Sequence, residues 1–315
     1  MEQTMTLERT DFKNFGTRVQ GKVRDVYIQE DTITLVATDR YSAFDRNLAL
    51  IPHKGAVLTA ISNFWFEKTR NIIQNHLIGW PDPNAIVVKK CSVLPIEVVV
   101  RGYITGVTST ALWTLYSSGE RNFGGVTLPD GLQKNAQLPH ALLTPTTKSD
   151  THDRPITREE IISEGHVPES LWSEVERVAL ELFARGQLLA KDRGLILVDT
   201  KYEFGVTPEG ELMLIDEIHT PDSSRYWQLH SYQERIMAGL EPENFDKEFL
   251  RLWFKANCDP YGDAPLPDAP AEMITELSRR YMHIYEQLLG EQFVPHATED
   301  ISARIESNLT NYFTA

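Results

Sequence analysis

The stretch Leu195-Ile-Leu-Val-Asp-Thr-Lys-Tyr-Glu-Phe-Gly205 passes from four apolar residues into an alternation of charged and uncharged positions. Four successive apolar side chains are typical of a strand that is buried on both faces. Because side chains alternate between the faces of a strand, Asp199, Lys201 and Glu203 are expected on one face. Two carboxylates beside an ammonium group indicate either a binding site or an exposed polar edge, and this stretch alone does not separate the two.

A second apolar stretch, Leu212-Met-Leu-Ile-Asp-Glu217, follows a Thr-Pro-Glu-Gly turn and also ends in acidic residues. A hairpin register with an odd sum of paired numbers, such as Glu203 opposite Leu214, would place Asp216 on the face of Glu203. A shift by one residue would reverse this. Two carboxylates near a lysine suit Mg²⁺ carrying nucleotide phosphates, because Mg²⁺ takes one or two carboxylates and completes its shell with phosphate and water. A salt-bridge network without metal is the alternative.

Strands and helices continue on both sides of this hairpin without a strict β-α-β alternation. Predicted strands lie at 21–28, 32–38, 85–90, 96–103, 195–204 and 211–218. Predicted helices lie at 56–74, 168–194, 229–237, 246–256 and 271–289, and a capping box of Thr157 and Glu160 begins a short one. Residues 119–155, rich in Gly, Pro, Asn and Thr, predict a long loop. Mixed elements with two hairpins favour the α+β class.

The composition is that of an ordinary folded protein. The chain has 315 residues, 41% hydrophobic and 24% charged, which is enough for one or two domains with a buried core. A formal net charge of −14 argues against binding to nucleic acid or anionic membranes. The acidic excess lies mainly in residues 205–315, which predicts either an interaction surface or a solvated helical face.

Cysteine usage and apolar runs indicate the compartment. Two cysteines cannot form a disulfide framework or a structural zinc site. The N-terminal residues lack the apolar stretch of a signal peptide, and no apolar run approaches the roughly 20 residues that span a bilayer. We therefore expect a cytoplasmic protein without a membrane partner.

A near match to a phosphate-binding loop lies at Gly16-Thr-Arg-Val-Gln-Gly-Lys-Val23. We reject this P-loop interpretation, because Val23 stands where the motif needs Ser or Thr and a hairpin follows instead of a helix. A Gly-Lys-x-Arg-Asp turn remains, with Gly21, Lys22 and Arg24 in the kind of basic turn that covers phosphates in kinase-like folds.

Further polar groups follow apolar strands. Arg101 ends the strand at 96–103, and Thr220-Pro-Asp-Ser-Ser-Arg-Tyr-Trp227 is predicted to be a polar loop. Hydroxyls with a guanidinium can clamp a phosphate or carboxylate, although each feature alone is explained more simply by a local turn or an arginine that reaches solvent. In the long loop, Lys148 and His152 could hold an acidic substrate.

Five stretches together resemble the SAICAR synthetase (phosphoribosylaminoimidazole-succinocarboxamide synthase) family, in its longer form known from fungi and many bacteria. They are residues 21–25, 38–45, 94–106, 198–205 and 216–227. The resemblance implies a kinase-like N-terminal nucleotide-binding lobe with an antiparallel sheet at 1–92, and an ATP-grasp-like domain with C-terminal helices at 93–315. It also implies an ATP-dependent ligase of purine biosynthesis that joins L-aspartate to carboxyaminoimidazole ribonucleotide through an acyl phosphate, giving SAICAR, ADP and phosphate.

The resemblance implies residues for ATP and Mg²⁺ by matching position. Those expected at the ATP phosphates are Gly21, Lys22 and Arg24, and Lys89 begins the strand whose backbone would bind adenine. Glu203, which also contacts ATP, and Asp216 would hold Mg²⁺. The implied catalytic residues are Lys201, near the transferred phosphoryl group, with Arg225 and Lys22.

The implied substrate residues are a second set. Those expected to bind the ribonucleotide are Arg101, Asp222, Ser224 and Arg225. Many members have Ser directly after the Thr-Gly pair, where this chain has Val107, so Thr108 or Ser109 would supply that hydroxyl. The residues implied to surround the substrates are Asp39, Ser42, Lys148, His152 and Asp153.

Two other functions stay open at the level of sequence. A kinase is disfavoured because the chain has no His-Arg-Asp catalytic loop and no Asp-Phe-Gly segment. A non-catalytic nucleotide-binding regulator is disfavoured because Lys201, Glu203, Asp216 and Arg225 are all present. The expected partners are small-molecule substrates, and the sequence indicates no oligomeric state.

Overall fold

The structure is a computed structural model that describes residues 5–44, 46–108, 110–148, 154–245, 248–296 and 300–315. The chain forms two compact units. The first consists of Met1–Phe64, His76–Lys90 and Phe245–Ala315, and the second of Trp65–Asn75 and Cys91–Asn244. The domain division predicted between residues 92 and 93 remains a proposal.

The elements alternate irregularly along the chain, as the α+β class requires. The strands are β1 Thr17–Gln20, β2 Arg24–Ile28, β3 Thr32–Ala37, β4 Arg40–Ala43, β5 Arg46–Leu50, β6 Leu77–Asp82, β7 Ala85–Lys89, β8 Ser92–Val93, β9 Ile96–Tyr103, β10 Asn122–Phe123, β11 Val126–Thr127, β12 Gln137–Leu143, β13 Thr146–Thr147, β14 Leu195–Val206, β15 Leu212–Ile215 and β16 Ser224–Gln228. The helices are α1 Lys54–Thr69, α2 Leu112–Ser117, α3 Arg158–Ser163, α4 Glu169–Asp192, α5 Leu229–Met237, α6 Glu248–Asn257, α7 Ala271–Leu289 and α8 Ile301–Thr314.

The first unit is built on a five-stranded antiparallel sheet in the order β1-β2-β3-β7-β6. Its core includes Tyr27 and Val36 from the sheet, with Ile305 and Leu309 from α8 packed against them. Arg304 of α8 donates to both carboxylate oxygens of Asp82, at 3.0 and 3.1 Å. This bidentate pair fastens the last helix to the end of β6.

The second unit is built on a seven-stranded antiparallel sheet. Its central path is β12-β9-β14-β15, with β13 on β9 and both β8 and β16 on β14. The amphipathic helix α4 buries Val175, Val178 and Leu182 and contacts β14. Strand β14 is thus covered by a helix on one face, and its other face carries the charged residues.

Several predicted elements are confirmed, with β9, α5 and α7 at the predicted bounds. The capping box is also present, because Thr157 accepts from the backbone of Glu160 while the Glu160 carboxylate accepts from the backbone of Thr157.

Two predicted loops were wrong. Residues 119–155 contain four short strands, of which β12 pairs with β9 across a bulge, and residues from Ser224 onward form β16. Strands β10 and β11 pair with each other, whereas β12, β13 and β16 gain their order from pairing with distant strands, which local composition does not encode.

Within the part of the chain that the structure describes, no helix combines the length and apolar character needed to span a lipid bilayer.

Candidate functional site

A row of alternating charges crosses three strands of the second unit. Asp199 of β14 lies opposite Arg101 of β9 on one side and opposite Arg225 of β16 on the other. Residues directly opposite in antiparallel strands share a face. Both of the predicted anion-binding arginines are therefore brought together, on either side of one carboxylate.

The carboxylate of Asp199 is shared by the two guanidinium groups. The Arg225 Nη1 lies 3.1 Å from its Oδ2, and the Arg101 Nη1 lies 3.8 Å from the same oxygen. Arg101 also donates from Nε to the Thr144 hydroxyl at 2.8 Å. Burial lowers the pKa of Arg101, and Arg225 adds to this while Asp199 opposes it. Two cations against one anion leave this end of the face with a formal excess of one positive charge.

A second charged group lies on the same face, centred on Lys201. Its ammonium donates to Glu203 at 2.9 Å and to Glu97 at 2.7 Å. Burial alone would lower the pKa of Lys201, but Glu203 and Glu97 raise it above its usual value, with a further contribution from Asp216. Lys201 therefore carries a fixed positive charge and is unsuited to act as a general base.

Lys148 joins this group by pairing with the other carboxylate oxygen of Glu203. The Lys148 side chain is 43% exposed and that of Glu203 only 10%. Two ammonium groups face three carboxylates, those of Glu97, Glu203 and Asp216, which leaves a formal excess of one negative charge at this end. No role was expected for Glu97 from sequence. The signal in the sequence was its position four residues before Arg101 on the same strand, which places both side chains on one face.

The register of the β14–β15 hairpin differs from the odd-sum register considered from sequence. Glu203 pairs with Ile215, so continued alternation would carry Asp216 to the opposite face. Strand β15 ends at Ile215, however, and Asp216 adopts a left-handed backbone with φ of 67°. Regular alternation therefore does not extend to Asp216, which acts electrostatically on Lys201.

The turn before β16 holds the remaining predicted ribonucleotide residues. Asp222 is half-buried, and its backbone donates to the Thr220 hydroxyl at 3.3 Å. Ser224 is buried and donates to the Thr200 hydroxyl at 2.8 Å. Thr200 and Ser224 alternate with Asp199 and Arg225, so the structure does not bring the Ser224 side chain to the charged face.

The Thr-Gly pair leads into a close approach between backbone and arginine. Gly106 has φ of 106°, and a Cβ there would lie 2.5 Å from that of Ala111 and 3.6 Å from the Arg225 Nη1. Thr108 follows as a half-buried residue whose carbonyl accepts from Ala111 at 3.0 Å. Ser109 lies outside the described residues, as do His152 and Asp153.

In the first unit, the predicted basic turn connects β1 to β2. Gly21 and Lys22 are exposed, and the Gly21 N–H donates to the Arg24 carbonyl at 2.8 Å. Arg40, a residue that sequence reasoning missed, donates to the carbonyls of Gly21 and Lys22 at 3.0 and 3.1 Å. Its guanidinium also donates to the buried carboxylate of Asp25 at 3.0 Å. The turn is therefore held through two of its own carbonyls, while Gly21 and Lys22 stay exposed.

Ser42 lines a cavity beside this turn, together with Lys22, Arg40 and Arg46. Asp39 is placed differently, because it is 1% exposed and accepts from the backbone of Leu7 at 2.8 Å and of Gly55 at 2.9 Å. Burial raises the pKa of Asp39 to about 6, although these two hydrogen bonds oppose the shift.

The strand that the resemblance implies from Lys89 to Val93 is divided in the structure. Lys89 ends β7, where its N–H donates to the His76 carbonyl at 2.7 Å, and β8 covers Ser92–Val93.

The donor chemistry around Glu203 fits Mg²⁺ only as an ion that is carried by phosphates. Among the described residues, no group of three or more His, Cys, Asp or Glu is arranged to hold a metal. Glu203 and Asp216 could supply the one or two carboxylates that Mg²⁺ takes when phosphate and water complete its shell. The lysines nearby suit the same phosphates.

Comparison with known proteins identifies the family of this chain. The SAICAR synthetase family model matches residues 17–266. A phosphoribosylaminoimidazole-succinocarboxamide synthase of Legionella pneumophila (strain Paris) is 56% identical over 280 residues, covering 89% of this chain and 90% of that protein. The chain belongs to the SAICAR synthetase family.

Solved structures of SAICAR synthetases have the same fold. The Saccharomyces cerevisiae SAICAR synthase complexed with SAICAR superposes with a TM-score of 0.78 at 32% identity, covering 92% of this chain and all of that chain. A type-2 SAICAR synthetase in complex with ADP superposes with a TM-score of 0.67 at 25% identity, covering 89% of this chain and all of that chain. The predicted family and function are confirmed: this is a ligase of purine biosynthesis that uses ATP to form a C–N bond between L-aspartate and carboxyaminoimidazole ribonucleotide.

Proposed function

We propose that the chain performs this ligation in two stages on the charged face of β14, through an acyl phosphate of the ribonucleotide carboxylate. A carboxylate is a poor electrophile, and transfer of the ATP γ-phosphoryl group to it creates a good leaving group. The amine of L-aspartate then attacks the acyl carbon and expels phosphate. Such chemistry needs positioning and fixed charge more than a protein nucleophile. The row formed by Arg101, Asp199 and Arg225, next to the Lys201 group, is the observation that carries the proposal.

The two ends of this face would divide the substrates between them. Arg101 and Arg225 form the positive end, and their fixed forks suit the phosphate of the ribonucleotide. Asp199 holds both guanidiniums in place and keeps them from repelling each other. Asp222 and a hydroxyl from Thr108 or Ser109 would contact the same substrate.

The negative end would take the metal and the reacting phosphoryl group. Glu203 and Asp216 would bind Mg²⁺, which when bound neutralises phosphate charge as the phosphoryl group moves. Lys201 stays protonated at working pH and would stabilise charge on the transferred group. Lys148, which is the more exposed lysine, would exchange its pairing with Glu203 for a contact with substrate. His152 and Asp153 would contribute from the adjoining segment.

The first unit would supply the nucleotide-binding turn of a kinase-like N-terminal lobe, and an ATP-grasp-like domain would carry β14. Gly21, Lys22 and Arg24 would cover the ATP phosphates, since that turn is exposed at Gly21 and Lys22 and carries two cationic side chains. The backbone from Lys89 onward would bind adenine, and Ser42 would contact substrate. We further propose a cytoplasmic location, in keeping with the cysteine usage, and no nucleic-acid partner, because the net charge is −14.

Two measurements test this proposal. ADP release by the purified protein with Mg-ATP and carboxyaminoimidazole ribonucleotide is expected to require L-aspartate. With ¹⁸O in the substrate carboxylate, one label is expected in the released phosphate, because the phosphate leaves with the bridging carboxylate oxygen when the acyl C–O bond breaks. Product formation with unlabelled phosphate would refute the acyl phosphate, and ATP binding without ADP release would indicate a regulator.

A further inference from the structure

The segment from Asp216 to His219 bends the chain in a way that ordinary strand geometry does not provide. Two of its four residues are non-glycine residues with left-handed backbone, Asp216 at φ 67° and His219 at φ 51°. Such conformations are uncommon outside glycine and persist where the surrounding structure holds them. The bend matters for the site, because Asp216 acts electrostatically on Lys201 although the hairpin register would carry it to the opposite face.

His219, the last residue of this bend, is held by several contacts. It is fully buried, and its Nε2 forms a hydrogen bond of 2.6 Å with the Tyr202 hydroxyl. Its carbonyl accepts from the Tyr226 hydroxyl at 2.7 Å, and its ring meets Trp65 edge-on with centroids 4.7 Å apart. Gly186 of helix α4 leaves room for the imidazole ring, because a Cβ at this position would lie 2.4 Å from the His219 Cε1.

The imidazole acts by position, because it has neither the exposure nor the charge for chemistry. Burial lowers the pKa of His219 to about 3, so the ring is neutral at any working pH. With no exposed surface, it cannot touch a substrate.

Tyr202 gives the bend its link to the rest of the site. It lies between Lys201 and Glu203 on β14 and, by alternation, points to the opposite face. The hydrogen bond from Tyr202 to His219 therefore joins the strand that carries Glu203 to the turn that carries Asp216.

We propose that His219 is a positioning residue, which with Tyr202 holds the Asp216–His219 bend so that the Asp216 carboxylate faces Glu203 and Lys201. This inference rests on the proposed function, in which Asp216 and Glu203 bind Mg²⁺ carried by the nucleotide. Residues that orient metal ligands from behind are themselves needed for metal affinity.

The test measures the affinity for ADP by calorimetry, with and without Mg²⁺. The quantity compared between variants is the gain, defined as the ratio of ADP affinity with Mg²⁺ to that without it. Tyr202→Phe removes only the hydroxyl. His219→Asn keeps a residue type that tolerates left-handed backbone but shortens the side chain out of reach of Tyr202. In both variants we expect the gain to fall about tenfold, with metal-free ADP affinity unchanged.

Two controls separate the possible outcomes. Tyr116→Phe removes another buried hydroxyl of the second unit, which donates to the Pro129 carbonyl at 2.6 Å, and is expected to leave the gain intact. Asp216→Asn is expected to remove the gain, and its retention there would overturn the metal assignment itself. If Asp216→Asn loses the gain while Tyr202→Phe and His219→Asn keep it, the positioning role is wrong. A lowered melting temperature with an unchanged gain likewise contradicts it.

Discussion

Replacement of Arg40 by alanine should separate the stability of the first unit from its affinity for ATP. The guanidinium is 3% exposed and paired with the fully buried carboxylate of Asp25, and removal of one partner of a buried pair costs about 3–5 kcal/mol. The lower end applies here, because Asp25 keeps the Thr10 hydroxyl at 3.0 Å and Arg18 at 3.3 Å. We therefore expect the free energy of unfolding to fall by about 3 kcal/mol.

The same substitution releases the carbonyls of Gly21 and Lys22, which are exposed and rehydrate at little cost. The effect on the turn should therefore appear in ATP binding. We expect the KM for ATP to rise about tenfold, which corresponds to roughly 1.4 kcal/mol. Arg40→Lys restores the charge opposite Asp25 without the planar fork, so it should recover most of the stability while KM for ATP stays raised.

Urea denaturation and initial rates at varied ATP measure the two effects, and Arg18→Ala is the matched control. Arg18 contacts the same carboxylate, and it also contacts Gln20 and Tyr27. It should cost about 1 kcal/mol, since it is partly exposed, and leave KM for ATP unchanged. An equal rise of KM in Arg18→Ala and Arg40→Ala would refute the reasoning, as would full recovery of KM by Arg40→Lys.

Three further predictions concern single carboxylates and one arginine. Glu203→Gln or Asp216→Asn should nearly abolish turnover while circular dichroism stays native, and near-normal rates with unchanged Mg²⁺ dependence would remove the metal assignment. Arg101→Ala should weaken binding of the ribonucleotide more than of ATP, whereas equal weakening in titrations would contradict its assignment to the phosphate. The raised pKa of Asp39, about 6, means that the folded state holds its proton longer than the unfolded state, so this residue's stabilising contribution is complete below about pH 4 and is lost as the pH rises to about 6. Relative to Asp39→Asn, wild-type stability should therefore fall over that interval in urea titrations, and a rise would show the wrong sign.

The elements that sequence predicted well are those with strong local patterns. The nearly continuous apolar run of β9 and the amphipathic pattern of α7 are read from neighbouring residues alone, and both appear at the predicted bounds. The alternation at Asp199, Lys201 and Glu203 likewise places three side chains on one face without reference to the rest of the chain.

The parts of the site that sequence reasoning missed depend on pairing between distant segments. The residues around Arg40 do not show that its side chain reaches back 19 residues to Gly21. Nor does the sequence near Glu97 show that this side chain meets Lys201 of the neighbouring strand β14. The strands within 119–155 have the same origin, since β12 is ordered by β9 and contains Pro139, a residue found at sheet edges.

The β14–β15 hairpin shows how a register that opposes the site can still serve it. With Glu203 opposite Ile215, ordinary alternation keeps apolar side chains of β15 packed on the sheet and sends Asp216 the wrong way. A one-residue slip would bring Asp216 back, but it would also invert every buried side chain of β15, at a cost far greater than one bend. A left-handed residue after the last pair costs only about 1–3 kcal/mol. The packing of the sheet thus decides the register, and the bend beyond it places the carboxylate.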